Sequence, residues 1–142
     1  MKKLLSFVLV IYLIAACLLT FVSCGKNSEL VGTYEMSSIS GLMSYNGQTI
    51  ELDEDLYEYY RITLKRNGSC KIESKAADSS SKIEQEGTWE YFEESGILAI
   101  KSEDNGVTVI EEMKWKDGII TYDVEQTVSS AKIKMRLKLK KQ

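Results

Sequence analysis

The sequence predicts an all-β fold, an eight-stranded antiparallel up-and-down barrel behind an apolar N-terminal leader. Three observations predict it. Short β-like runs recur at roughly ten-residue spacing, with turn residues between them. The last run alternates strictly, Ile133, Met135, Leu137 and Leu139 against Lys132, Lys134, Arg136, Lys138 and Lys140, as a strand with one buried and one wet face does. No later stretch carries the long 3.6-residue periodicity of a core helix, and closure into a barrel removes the exposed edges that so many strands would leave.

The leader comes first. Met1-Lys2-Lys3 is a basic start, and Leu4 to Phe21 is apolar apart from Ser6, Tyr12 and Thr20. Val22-Ser23-Cys24 follows, and the composition turns polar at once with Lys26, Asn27, Ser28 and Glu29. A small residue before a cysteine, at the end of a short apolar segment, resembles the lipobox of bacterial lipoproteins. That resemblance implies a signal peptide over residues 1–23, lipidation at Cys24 with palmitate, and a lipidated tether over 24–29. Residues 30–142 are then the barrel domain, held by its lipid on the extracytoplasmic face of the cell membrane. Ile14-Ala15-Ala16-Cys17 is a second candidate, but cleavage there would leave Leu18 to Val22 as an apolar mature N-terminus. The remaining alternative is an uncleaved transmembrane anchor.

Composition narrows the function classes. The chain has 18 Lys+Arg against 21 Asp+Glu, and cleavage before Cys24 would take away Lys2 and Lys3 but no acid. This acidity argues against nucleic acid as a partner. Histidine is absent, which removes the commonest general base and the commonest metal ligand. Proline is absent too, so turns fall to Gly, Asn, Asp and Ser. With Cys24 lipidated and Cys17 removed, Cys70 has no disulfide partner, and the domain must stand on its core.

The strands follow in order. Leu30 to Ile39 is the first, with Gly32, Tyr34 and Met36 on one face. Ser40 to Tyr57 reads as a long connection containing a short helix from Ile50 to Tyr57, with Leu52 and Leu56 on its apolar face. Connections of that length need a reason. The apolar residues here predict a cap, made by Leu52 and Leu56, that closes one barrel end, with Gly41 and Asn46-Gly47 as hinges. Tyr59 to Lys65 and Cys70 to Ser74 are the second and third strands, joined by the Asn67-Gly68 hairpin signal. Ile83 to Phe92, Leu98 to Lys101, Val107 to Trp115, Ile119 to Glu125 and Ala131 to Lys140 complete the eight. Asp104-Asn105-Gly106 and Lys116-Asp117-Gly118 supply turns.

Leu30-Val31-Gly32-Thr33-Tyr34 at the start of the first strand resembles the opening Gly-x-Trp of lipocalins and fatty-acid-binding proteins, with Tyr34 in the tryptophan position. With the strand count, the stretch from Leu30 to Lys140 resembles the small lipocalin-like (calycin-type) domains of bacterial lipoproteins. The resemblance implies a binding barrel for a small apolar or amphipathic ligand; the lack of a recognisable catalytic arrangement predicts no enzymatic activity and no cofactor. A different class stays open: a structural or protein-interaction lipoprotein, with a side-chain-filled barrel that meets a cell-surface protein through its outside.

Alternation places Tyr34, Tyr60, Gln85, Trp89 and Tyr122 inside, as candidate ligand contacts or as packed core. Glu111 is the sixth candidate. In a single register it points inward with Val109 and Met113 as a polar anchor, whereas the out-of-phase Ile110 favours a β-bulge that turns Glu111 and Glu112 to water. Cys70 alternates with Ile72 and has no histidine to activate it, so it reads as core. No catalytic or metal-ligating constellation is present: Glu51, Asp53, Glu54 and Asp55 lack calcium-loop spacing. The lysines of the last strand are expected to pair with Glu35 on one side and with Asp123 and Glu125 on the other.

Overall fold

A computed structural model describes residues 28–142 of the chain. The leader, both lipidation candidates and most of the tether lie outside the described residues. Val31–Gln142 form one unit built almost entirely of strands. These are β1 (Gly32–Tyr45), β2 (Gln48–Leu52), β3 (Tyr57–Leu64), β4 (Ser69–Ala76), β5 (Lys82–Phe92), β6 (Ile97–Asp104), β7 (Val107–Lys116), β8 (Ile119–Val128) and β9 (Ala131–Lys141). The sheet runs β2-β1-β3-β4-β5-β6-β7-β8-β9, and β1 also pairs with β9. The result is a closed eight-stranded antiparallel up-and-down barrel plus one extra strand, β2.

The extra strand corrects the sequence expectation for Ser40 to Tyr57. That stretch is not a capping loop, and Ile50 to Tyr57 is not a helix. β1 continues to Tyr45, reverses through Asn46-Gly47, and returns as β2. Asn46 and Gly47 have φ of 49° and 77°, the double left-handed turn whose twist suits a two-residue hairpin. A 3-10 turn at Glu54–Leu56 follows, with the Asp53 carboxylate accepting from the Asp55 amide at 3.0 Å. Leu52 is half-buried in β2, and Leu56 is exposed.

Two features let β1 serve three neighbours. Its ladder with β9 shifts between Met36 and Ser38, so Ser37 is an extra residue. The Ser37 hydroxyl donates to the Lys138 carbonyl at 3.2 Å. This bulge resets the alternation, and Ile39 then points inward and is buried. The second feature is Gly41, at φ 153°. A Cβ there would lie 2.2 Å from the Lys134 carbonyl oxygen. β1 pairs with β3 only from Gly32 to Glu35, and from Gly41 onward it pairs with β2 instead.

The barrel therefore has two unlike ends. At one, the β3–β4, β5–β6 and β7–β8 hairpins meet the start of β1 and the end of β9. Tyr34, Ile62, Leu64, Leu98, Ile100, Met113, Ile120, Leu137 and Leu139 fill its interior, each at most 2% exposed. Burial of this apolar set is the main stabilising term of the fold. At the other end the wall parts in two places. β3 has no β1 partner over 57–60. β7 and β8 pair only through Lys114–Thr121, Trp115–Ile120 and Lys116–Ile119.

Lys132, Lys134, Lys138 and Lys140 of β9 point outward, as the alternation requires, whereas Lys141 is half-buried opposite Tyr34. Arg136 makes a two-pronged bond to Asp123, at 2.7 and 3.2 Å. Lys134 stands opposite Glu125 in the ladder, and Lys140 opposite Glu35. The Glu35 carboxylate, however, bonds to Arg61 at 2.9 Å.

Candidate functional site

The six candidate contacts divide between the two ends. Tyr34 belongs to the filled end. It is fully buried, and its hydroxyl accepts from Trp115 Nε1 at 3.0 Å. Tyr91 packs edge-on against Trp115, with ring centroids 5.6 Å apart. Trp89 serves the β3–β4 hairpin: its Nε1 donates to the Lys65 carbonyl at 2.9 Å. Both are structural, because their polar atoms are spent on holding that end shut. Gln85 lies opposite Ile72 at a half-buried inward position.

Tyr60, Glu111 and Tyr122 come together at the parted end. β6 and β7 pair without interruption from Ile97–Lys114 to Asp104–Val107, so the expected bulge at Ile110 does not form. Ile110 points outward and is 62% exposed, while Glu111 faces inward opposite Ile100. The hydrophobic side chain was simply left on the wet face. Tyr122 lies beside Glu111, and burial first, then the Glu111 charge and hydrogen bonding toward it, push the Tyr122 hydroxyl well above its usual range. Tyr60 is raised in the same direction, first by burial and then by Glu111.

Tyr57 completes the group, although the sequence pattern places it at the end of a connection. Its ring meets that of Tyr60 edge-on, with centroids 5.5 Å apart. A register shift between Tyr57 and Tyr59 brings both Tyr57 and Tyr60 to the inner face. Strict alternation hides this pair. The signal that could have found it is the break of period two across Tyr57-Glu58-Tyr59-Tyr60.

Around this cluster, inward positions remain open to solvent. Ile83 lies opposite the buried Ser74, yet it is 62% exposed. Val107, on the same face of β7 as Val109 and Glu111, is 64% exposed. Large apolar side chains that face the interior but stay wet mark a mouth left unfilled. Cys70, by contrast, is buried, and that burial pushes its thiol up to about 11, the opposite of what a nucleophile needs. Among the described residues no group of His, Cys, Asp and Glu is arranged to hold a metal ion. Compared with protein-family models, with curated proteins and with solved structures, the chain finds no match.

Proposed function

We propose that this is a lipid-anchored extracytoplasmic lipocalin-like protein whose barrel takes a small apolar or amphipathic molecule at the parted end. One observation carries the reading. Ile83 and Val107 occupy inward positions and remain more than half exposed, at the end where the wall opens. A pocket with apolar walls and a few converging polar groups is the usual make-up of a small-molecule site. Tyr60, Glu111 and Tyr122 are those polar groups. Gln85 stands at a half-buried position on the same face as Ile83.

Native mass spectrometry of the protein purified from its own host tests this. A co-purifying small molecule supports the reading, and its loss on Tyr60→Ala with the fold intact assigns it to this end. A bare chain that also ignores added amphiphiles overturns it. The anchor has its own test: Cys24→Ala should abolish lipid labelling. Labelling that persists, and disappears only with Cys17→Ala, moves the lipid to the earlier cysteine.

A second reading rests on the filled end and the extra strand. β2 ends the sheet, and all of its residues but Leu52 are exposed. Such an edge suits strand addition by another protein, as a structural or protein-interaction surface lipoprotein would use it. Cross-linking that traps a partner at Gln48 to Glu51 favours this reading.

A further inference from the structure

The chemistry the mouth would select can be read from its charge. Glu111 is an inward carboxylate halfway along β7. One hydroxyl, that of Tyr122, lies beside it as a donor. A carboxylate has about four acceptor positions, so one donor leaves most of that capacity open. Among the described residues, no lysine or arginine forms an ion pair with Glu111. The registers give the same picture. The inward positions of the parted end include Tyr57 and Tyr60 on β3, Ser74 and Ala76 on β4, Ile83 and Gln85 on β5, Ser102 and Asp104 on β6, Val107 and Val109 on β7, Tyr122 and Val124 on β8, and Ile133 and Met135 on β9. None carries a positive charge. The basic residues of the neighbouring β9 wall all point outward at this end.

A carboxylate among tyrosine rings, with no protein cation beside it, attracts a cation from outside by two effects of the same sign. Its own charge acts through a medium less polar than water. The negative faces of aromatic rings add to that pull. An anionic head group would meet the opposite field, and a fatty acid would have no inward lysine or arginine to receive it. We propose that the ligand is an organic ammonium amphiphile, whose nitrogen sits beside the Glu111 carboxylate among Tyr57, Tyr60 and Tyr122, and whose apolar part lies against Ile83, Val107 and Val109. This inference rests on the binding reading above and adds the sign of the ligand's charge.

The test compares three probes of equal chain length, octyltrimethylammonium, 1-octanol and octanoate, each below its micelle concentration. They are titrated into the full chain by calorimetry, with wild type and Glu111→Gln in parallel. The expected result is that wild type binds the ammonium about tenfold more tightly than the alcohol, and octanoate least. Glu111→Gln should bring the ammonium down to the level of the alcohol, with an unchanged unfolding midpoint. Equal affinity of wild type for ammonium and alcohol, or a preference that survives Glu111→Gln, overturns the ammonium assignment but leaves amphiphile binding in place. Absence of binding by all three probes overturns the binding reading, and the ammonium assignment with it. The probe comparison on wild type stands even if Glu111→Gln fails to fold.

Discussion

At the scale of single residues, the filled end is where substitutions should cost most. Leu137 is fully buried on the inner face of β9. Leu137→Lys places an ammonium among apolar neighbours and should cost several kcal/mol, on the order of 3 or more, in urea unfolding. Near-normal stability would reverse the face assignment of the whole strand. Tyr34→Phe is a gentler change. It keeps the ring but leaves the Trp115 indole N–H without the hydroxyl it bonds at 3.0 Å. An unsatisfied buried donor costs about 1–3 kcal/mol, and indole fluorescence should report the altered surroundings. Leu56→Ala, at an exposed position, should change stability by no more than about 0.5 kcal/mol. A cap over a barrel end would have shown a larger loss.

At the scale of elements, β1 is the strand that gives the barrel its two unlike ends. Its change of partner from β3 to β2 turns on Gly41, where the positive φ and the Lys134 carbonyl oxygen, which a Cβ would meet at 2.2 Å, both exclude a side chain. Gly41→Ala should therefore destabilise by about 2–4 kcal/mol. The loss should appear first as faster hydrogen exchange in β2 and in the facing part of β9. Exchange should also reveal the parting of β7 from β8. Amides of β7 from Val107 to Met113 that bond to β6 should be protected, and the alternate amides, which face the missing ladder, should exchange faster. Uniform protection along β7 would mean that the wall is continuous in solution.

At the scale of the whole molecule, the ionisable groups of the interior point one way. Burial raises the Cys70 thiol from 9.0 to about 11 and raises Tyr34, Tyr57, Tyr60 and Tyr122 as well. Each holds its proton more firmly in the folded chain than in the unfolded one. Their contribution is therefore complete below the unfolded values and is lost as pH rises through the folded ones. Stability should be insensitive to these groups at neutral pH and should fall progressively above pH 9. Cys70→Ala should shed the part of that slope between about 9 and 11, by roughly 1–2 kcal/mol in denaturant titrations at stepped pH. A flat profile to pH 11 would argue that the thiol is not shielded.

The strands and their faces were legible in the sequence because they depend on neighbours in the chain. Alternation alone assigned Leu137 and Leu139 inward and the β9 lysines outward, and the Asn-Gly signal marked the hairpin at Asn67-Gly68. The same two residues at Asn46-Gly47 also close a hairpin, which local pattern hides because Leu52 and Leu56 repeat at helical spacing and Gln48 to Glu51 show no buried face. Ladders depend on residues far apart, and here local reasoning stopped. Nothing near Gly41 announces that β1 leaves β3 for β2, and nothing near Trp115 announces that β7 and β8 part. The register shifts at Ser37 and Glu58 reverse alternation, so one extra residue in each strand moved Ile39 and Tyr57 to faces that counting by two would not have given them. Glu111 shows the division most plainly. Local pattern offers an inward carboxylate or a bulge, and favours the bulge because the apolar Ile110 is out of phase with Met113. Only the unbroken pairing with β6 turned Glu111 inward, and only the approach of β3 and β8 set tyrosines beside it. A charge inside a barrel is decided by the groups that surround it, and those come from strands distant in the chain.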